Sequence, residues 1–437
     1  MRQAKSLKSL FFYYAKWIAL STLVGAACGT ASAVFLAVLE AATNFRTAHS
    51  WLLYLLPVGG LAVGGLYHTL GRKVEGGNNL IIDEFHDPKS VIPFRMAPLV
   101  LLGTILTHLF GGSAGREGTA VQMGGSIADQ FTHLFKMNRE ERRTLLMAGM
   151  SGGFGSVFGV PFAGMIFGLE VLAIGRLHLW GIVECAVAAF VAHFVTLALG
   201  IHHTDYVHPV VSDLTVLTGL IAVAGGIIFG LAARLFALLS HQISKISKSL
   251  FPLLPLRTFI GGALIAAAFF FVPMLTRYAG LGVPLIVDSL KVPLLPYDWF
   301  GKLVMTALTL GVGFKGGEVT PLLFVGATLG NALSTILPLP LPLFAAIGFV
   351  GVFAGAANTP IACTIMAMEL FGPGVGVFAA LACFASYAVS GHRGIYHAQK
   401  VHHSKSKFVS RTVEFIEYLF RRPPIAANKE ENSDDHK

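Results

Sequence analysis

Gly115-Arg116-Glu117-Gly118-Thr119 and Gly316-Gly317-Glu318-Val319-Thr320-Pro321 carry one pattern twice, Glu-x-Thr-x5-Gly, completed by Gly125 and Gly326. Each copy follows glycine-rich backbone, leads into a helical-looking run and lies in otherwise apolar sequence. A glutamate at membrane depth is costly and marks a functional position. Two of them in matching places of two halves point to a substrate pathway between repeats.

The composition agrees. The chain is 54% hydrophobic and 13% charged, with a mean hydropathy of +0.69, far from soluble usage. Runs at 17–39, 52–70, 179–199, 214–239 and 259–275 approach or exceed the roughly 20 apolar residues that cross a bilayer as a helix. Runs at 77–85, 281–290 and 358–371 are shorter and broken by Gly or Pro. Such segments survive in a membrane only where protein or a cavity satisfies their backbone. The repeat also extends further. Pro161 and Glu170 recur as Pro360 and Glu369, in the same order after the Glu-x-Thr copies. We therefore predict repeat 1 over 15–200 and repeat 2 over 213–397. Sequence alone leaves their relative orientation, parallel or inverted, open.

The formal charge of +9 gathers at segment ends. Lys5, Lys8 and Lys16 precede the first span, Lys136, Arg139, Arg142 and Arg143 share one loop, and Lys245, Lys248 and Arg257 flank another. The positive-inside rule makes these loops and both termini cytoplasmic; no nucleic-acid partner is implied. The first apolar run continues past Ala31-Ser32-Ala33, so it reads as a retained helix rather than a signal peptide. Residues 1–14 read as a basic cytoplasmic N-terminus. Residues 398–437 read as a cytoplasmic tail, amphipathic around Val409–Phe420 and then disordered. No large soluble domain is expected.

Three glycine-rich turns, before Leu80, at Gly115 and at Gly316, open onto helices and aim N–H groups and positive dipole ends inward. Together they make an anion site with no need of a buried lysine. Glu117 is itself an anion, so it competes for that site when ionised and leaves it when protonated, which links anion and proton movement. Other features read as structural. The Gly25-x3-Gly29, Gly60-x3-Gly64 and Gly226-x3-Gly230 pairs suit helix packing. Glu170 and Glu369, placed symmetrically after Pro, suit structural hydrogen bonds. Cys28, Cys185, Cys363 and Cys383 suit packing. No metal or cofactor is expected, including at His202-His203 and His402-His403. Gly111-Gly112-Ser113-Ala114-Gly115 matches the nucleophile-elbow pattern. A hydrolase there needs a histidine base and leaves the second Glu-x-Thr copy unexplained, so the chain is read as a transporter and not an enzyme.

The Gly115–Gly118 turn, the 316–321 segment and the proline repeats at 161 and 360 resemble the CLC superfamily of anion channels and proton-coupled antiporters, over about residues 15–397. The resemblance implies an all-α polytopic membrane protein, with two inverted repeats of tilted and partly spanning helices. It also implies a homodimer in the lipid bilayer with one pathway per subunit. Glu117 matches the external gating glutamate. Tyr396 sits where the family places its central anion-binding tyrosine.

The departures narrow the reading. Chloride-handling members carry Gly-Ser-Gly-Ile-Pro at the first turn, where Asn78 here replaces the serine. Thr119 replaces their proline, and Glu318, Val319 and Thr320 replace the usual third turn. Val171 stands where many exchangers place an internal proton-transfer glutamate. This set resembles the fluoride/proton antiporter branch, which expels cytoplasmic fluoride across the inner membrane. Fluoride is small and strongly hydrated, so a dry site must supply close donors. The Asn78 amide, the Tyr396 hydroxyl and the backbone around Arg116, Gly118, Glu318 and Val319 are the candidate anion ligands. Glu117 is the candidate gate and proton carrier, with Thr320 accessory. A chloride or other anion exchanger, or a passive channel of the same fold, stays open as the alternative.

Overall fold

The structure, a computed structural model, describes residues 7–405, with side chains from Phe12 onward. The N-terminal basic residues before 7 and the amphipathic and disordered tail expected beyond 405 lie outside the described residues. Among those described, sixteen α-helices follow one another in two matched series of eight. The first runs α1 (Leu7–Ala48), α2 (Leu56–Leu70), α3 (Asn78–His86), α4 (Met96–Leu109), α5 (Glu117–Leu134), α6 (Arg139–Phe158), α7 (Pro161–Glu170) and α8 (Ile182–Ala198). The second runs α9 (Val216–Leu250), α10 (Leu254–Phe271), α11 (Val283–Ser289), α12 (Asp298–Gly311), α13 (Val319–Leu333), α14 (Leu341–Ala357), α15 (Pro360–Phe371) and α16 (Gly376–Val389).

Among the described residues, five segments are long and apolar enough to cross a bilayer: Phe12–Ala48, Ser50–Leu70, Leu179–Ala198, Val216–Leu250 and Leu254–Phe271. They coincide with the five long runs read from sequence. The broken runs become α3, α11 and α15, each too short to cross alone.

Local chemistry explains where the short helices start and stop. Proline opens α7 and α15, where its missing N–H and fixed φ cost nothing. The preceding helices, α6 and α14, both end on a left-handed residue, Gly159 (φ 78°) and Asn358 (φ 61°). Each half thus breaks its chain at the same place by the same means.

The glycine pairs read as packing stripes are packing stripes. A methyl on Gly25 or Gly29 of α1 would stand 2.7 Å or 2.4 Å from the Ala188 or Ala192 carbonyl oxygen of α8. On Gly226 or Gly230 of α9 it would stand 2.5 Å from the Ala382 or Ser386 carbonyl oxygen of α16. Gly60 and Gly64 admit α10 at Thr258 in the same way. Equivalent contacts join α5 to α6 at Gly124 and Gly149, and α13 to α14 at Gly326 and Gly348. Small residues let backbones approach where apolar burial gives no drive. The four cysteines are free and buried.

The two series repeat one order of helices, each half matching the other element by element. At their junction α7 packs on α15, and the C-terminal glutamate of each binds the N-terminus of the other. Ile361 N and Ala362 N donate to the Glu170 carboxylate at 3.0 and 2.8 Å. Phe162 N and Ala163 N donate to Glu369 at 2.9 and 2.7 Å. The structural reading of this pair therefore stands in the observed bonds. After α16 the chain returns along the same end, pairing Lys400–Val401 in parallel with Ala173–Ile174.

Candidate ion-translocation site

The two Glu-x-Thr turns meet at the centre of the molecule. Gly115 N donates to Gly317 O at 2.6 Å and Gly317 N to Gly115 O at 2.8 Å, an isolated antiparallel bridge. α5 begins at Glu117 and α13 at Val319, so the bridge holds two helix N-termini face to face. The first turn joins them. Gly77, at φ 58°, takes a conformation open to glycine and starts α3 at Asn78. A methyl on Gly118 would stand 3.1 Å from Gly317 Cα and 3.2 Å from Asn78 Nδ2. Three positive dipole ends thereby converge in one buried region, which favours an anion.

Glu117 is fully buried there. Its Oε2 accepts from Thr320 N at 3.0 Å, from the Thr320 hydroxyl and from Arg116 N at 3.3 Å. A carboxylate borrowed from another helix thus caps α13, in bonds strengthened by its charge. Its Oε1 has no hydrogen-bond partner and lies 3.5 Å from Arg116 Nε.

Two cavities reach the neighbours of this carboxylate, one through Arg116 and one through Glu318, and Glu117 itself lines neither. One, of about 160 Å³, is lined by Asn78, Glu318, Tyr396, Gln122, Tyr67, Glu75 and Lys315 among others. The other, of about 200 Å³, is lined by Arg116, Glu40, Thr43, His202 and His203 among others. In the first, Asn78 Oδ1 and the Tyr396 hydroxyl are buried without a hydrogen-bond partner. Buried polar atoms are normally paired, so the Tyr396 hydroxyl marks a position for an acceptor such as an anion, whereas Asn78 Oδ1 is itself an acceptor and only the Asn78 amide N–H₂ could serve an anion.

The sequence-derived residues are therefore mostly brought together. Asn78, Gly118, Glu318 and Tyr396 surround or border the same space, and Val319 is buried as the first residue of α13. Thr320, read as accessory, makes direct contact with the gate carboxylate. Arg116 lies apart from the other candidate ligands, against the opposite cavity. Tyr396 arrives from the chain end because Ile395 N is held by Ala356 O at 2.9 Å and Ala398 N by Asn79 Oδ1 at 3.0 Å. Beside it, Gln399 N donates to Tyr396 O at 3.3 Å and Gln399 Nε2 to the Val171 carbonyl at 2.7 Å.

Sequence reading missed Lys315, Tyr67, Glu75 and Gln122. Lys315 had a signal, as the lone Lys or Arg between Lys302 and Arg393 and directly before Gly316. The nucleophile-elbow match dissolves in the geometry. The Ser113 hydroxyl pairs with Thr306 Oγ1 at 2.8 Å, and the His108 ring nitrogens face the Thr104 and Ala114 carbonyls at 2.8 and 3.0 Å.

Comparison with known proteins places this architecture. Residues 59–391 match the voltage gated chloride channel family. A "Chloride/fluoride channel protein" of Pseudomonas syringae pv. tomato is 56% identical over 398 residues, covering 90% of this chain and 88% of that one. The "H(+)/Cl(-) exchange transporter ClcA" of Vibrio campbellii is 27% identical over 350 residues, 73% of this chain and 72% of that one. Among solved structures, a CLC-type fluoride/proton antiporter superposes with a TM-score of 0.84 at 35% identity, covering 91% of this chain and all of that one (100%). A slow cyanobacterial Cl-/H+ antiporter shares the fold at a TM-score of 0.75 and 19% identity, over 91% of this chain and 98% of that one. With its duplicated turns, its bridged helix N-termini and this extent of similarity, the chain belongs to the voltage-gated chloride channel, or CLC, family of multi-pass membrane proteins.

Proposed function

We propose that the protein is a proton-coupled antiporter that exports cytoplasmic fluoride in exchange for protons. The observation that carries this reading is the Glu117 carboxylate, bound to the N-terminus of α13 at the place an anion would take, with its neighbours Arg116 and Glu318 each lining a cavity. Ionised, it is the tethered rival of the anion. Protonated, it loses its attraction for the N–H groups and leaves, carrying the proton. Asn78, Tyr396 and the backbone around Gly118, Glu318 and Val319 are the anion ligands of this scheme, with Thr320 holding the closed gate and Arg116 beside it. The names of the 56% identical relative and of the 35% identical structure support fluoride as the anion. No catalytic step is required of the chain.

Sidedness follows from charge. Arg257, from the basic end of α9 and α10, lies 3.8 Å from Glu75 at the Tyr396 cavity. That cavity therefore faces the cytoplasm, and the Arg116 cavity faces outward. Both termini then lie in the cytoplasm, the membrane is the inner one, and the halves 15–200 and 213–397 enclose one pathway in each subunit of a homodimer.

The test is ion flux from liposomes with fluoride and chloride compared while external pH is followed. We expect fluoride to move far faster than chloride, with protons moving the opposite way. Equal fluxes of the two anions would remove the fluoride assignment. Because the 56% identical relative is called a channel, the second reading is a passive fluoride path, which fluoride movement without proton movement would establish.

A further inference from the structure

Three buried or half-buried lysines can be compared. Lys302 is fully buried and donates to Tyr278 O at 3.0 Å and Gly280 O at 2.6 Å. Lys405 donates to Asn358 Oδ1 and, at 3.0 Å, to Ser390 Oγ. Both ammonium groups are spent on protein acceptors. Lys315 differs. It stands 4.2 Å from the centre of the Tyr67 ring, and among the described residues it makes no hydrogen bond and no ion pair within 4.0 Å, Glu75 acting on it only at longer range. The nearby Glu75 is drawn instead toward Arg257.

The position is built. A methyl on Gly103 of α4 would stand 3.0 Å from Lys315 Cβ, 3.2 Å from its Cγ and 3.3 Å from the Tyr67 ring. Gly103 therefore leaves the slot through which the lysine stem passes, and the ring holds the head at the cavity wall. A cation–π contact restrains an ammonium without neutralising it.

We propose that Lys315 is the counter-charge of a separate recruiting site in the Tyr396 cavity, where a small, strongly hydrated anion is gathered before it reaches Asn78, Tyr396 and the gate. The inference rests on the transport reading above. It differs from the helix-terminus site, which uses neutral dipoles and needs no lysine. An ammonium is a compact, strongly hydrated charge, unlike a guanidinium, and suits an anion that still keeps part of its water. A cavity of about 160 Å³ has room for an anion together with several waters, each needing roughly 10–15 Å³ of it. Inside it, attraction to Lys315 is less screened than in bulk water. Glu75 lines the same cavity, so a gathered anion is repelled as well as attracted, and it moves on.

The experiment is a titration of exchange rate against fluoride on the cytoplasmic side, at low and high ionic strength, for wild type, Lys315→Met and Lys315→Arg. Lys315→Met should raise KM about tenfold, with a much smaller change in kcat, and should flatten the salt dependence of KM. Lys315→Arg should keep that salt dependence. Unchanged KM and salt dependence in Lys315→Met would overturn the proposal and leave Lys315 a packing residue. Should the Met variant fail to purify monodisperse, Lys315→Gln is read by the same two quantities. The same titration with chloride separates the two readings. If the protein carries chloride and not fluoride, the fluoride assignment falls, yet a raised KM for chloride in the variant still supports the recruiting site.

Discussion

The chain holds two duplicated pairs of glutamates, and the fold treats them differently. Glu170 and Glu369 are used alike. Each closes its own helix and takes two N–H groups from the start of the other half's helix, at 2.7–3.0 Å. Glu117 and Glu318 are not used alike. Glu117 crosses to cap α13 at Thr320, while Glu318 lines the cavity and the matching Thr119 hydroxyl pairs with Thr104 at 2.7 Å. A carboxylate with both oxygens bonded in a symmetric clasp has no reason to move. One with a single oxygen hydrogen-bonded and the other held only by the Arg116 ion pair at 3.5 Å is less firmly fixed. Preserved symmetry sits at the junction of the two halves, where α7 packs on α15, and broken symmetry sits where the two Glu-x-Thr turns meet.

The sharpest test replaces Glu117 with Gln, which keeps the shape and removes the titrating proton. Proton-coupled exchange should fall by about 100-fold or more, the scale of losing a positioned proton carrier, as read by a pH-sensitive dye inside liposomes. Wild-type proton movement in Glu117→Gln would place this residue with Glu170 as a structural group and break the comparison.

Glu369→Ala should act in the opposite sense. It strips two charge-assisted bonds from the start of α7 and should lower stability by about 2–4 kcal/mol. Thermal unfolding in detergent checks this. The fraction that stays folded should keep its proton-to-anion coupling. A stable variant with lost coupling would move the clasp into the proton route.

A surface version of the same bond gives the smallest effect. Glu141 bonds Lys16 Nζ at 2.6 Å and the Asn138 N–H at 3.0 Å, completing a capping box at the start of α6. First the Lys16 hydrogen bond and then the Asn138 N–H hold its carboxyl below the usual value of 4.5. A depressed folded pKa contributes stability above that value, lost as pH falls through the folded pKa. With both partners partly exposed, Glu141→Gln should cost no more than about 0.5 kcal/mol at pH 7. Unfolding midpoints of variant and wild type should converge as pH drops well below 4.5; a gap that persists would assign the effect to packing.

Much of this was legible locally. Span length, the stacked glycines and the repeated Glu-x-Thr turns are properties of neighbouring residues, so the five long spans and the three glycine-opened helices could be read directly, although the first begins at Asn78 rather than at the expected Leu80. Tyr396 and Asn78 were reached through resemblance rather than pattern, because nothing local ties residue 396 to residue 78. Lys315 was passed over for a related reason. An isolated cation before a glycine turn means little until the Tyr67 ring and the Gly103 slot are placed beside it.

The sequence by itself determined that this is a duplicated membrane protein with glycine-opened helices and two costly carboxylates at matched positions, because apolar length and backbone freedom are set residue by residue. Only the tertiary structure decided which carboxylates form a symmetric clasp and which one crosses alone to another helix. That depends on which helix N-terminus each one meets across the repeat boundary. A duplicated sequence cannot specify this, since its two copies carry the same letters and differ only in their surroundings.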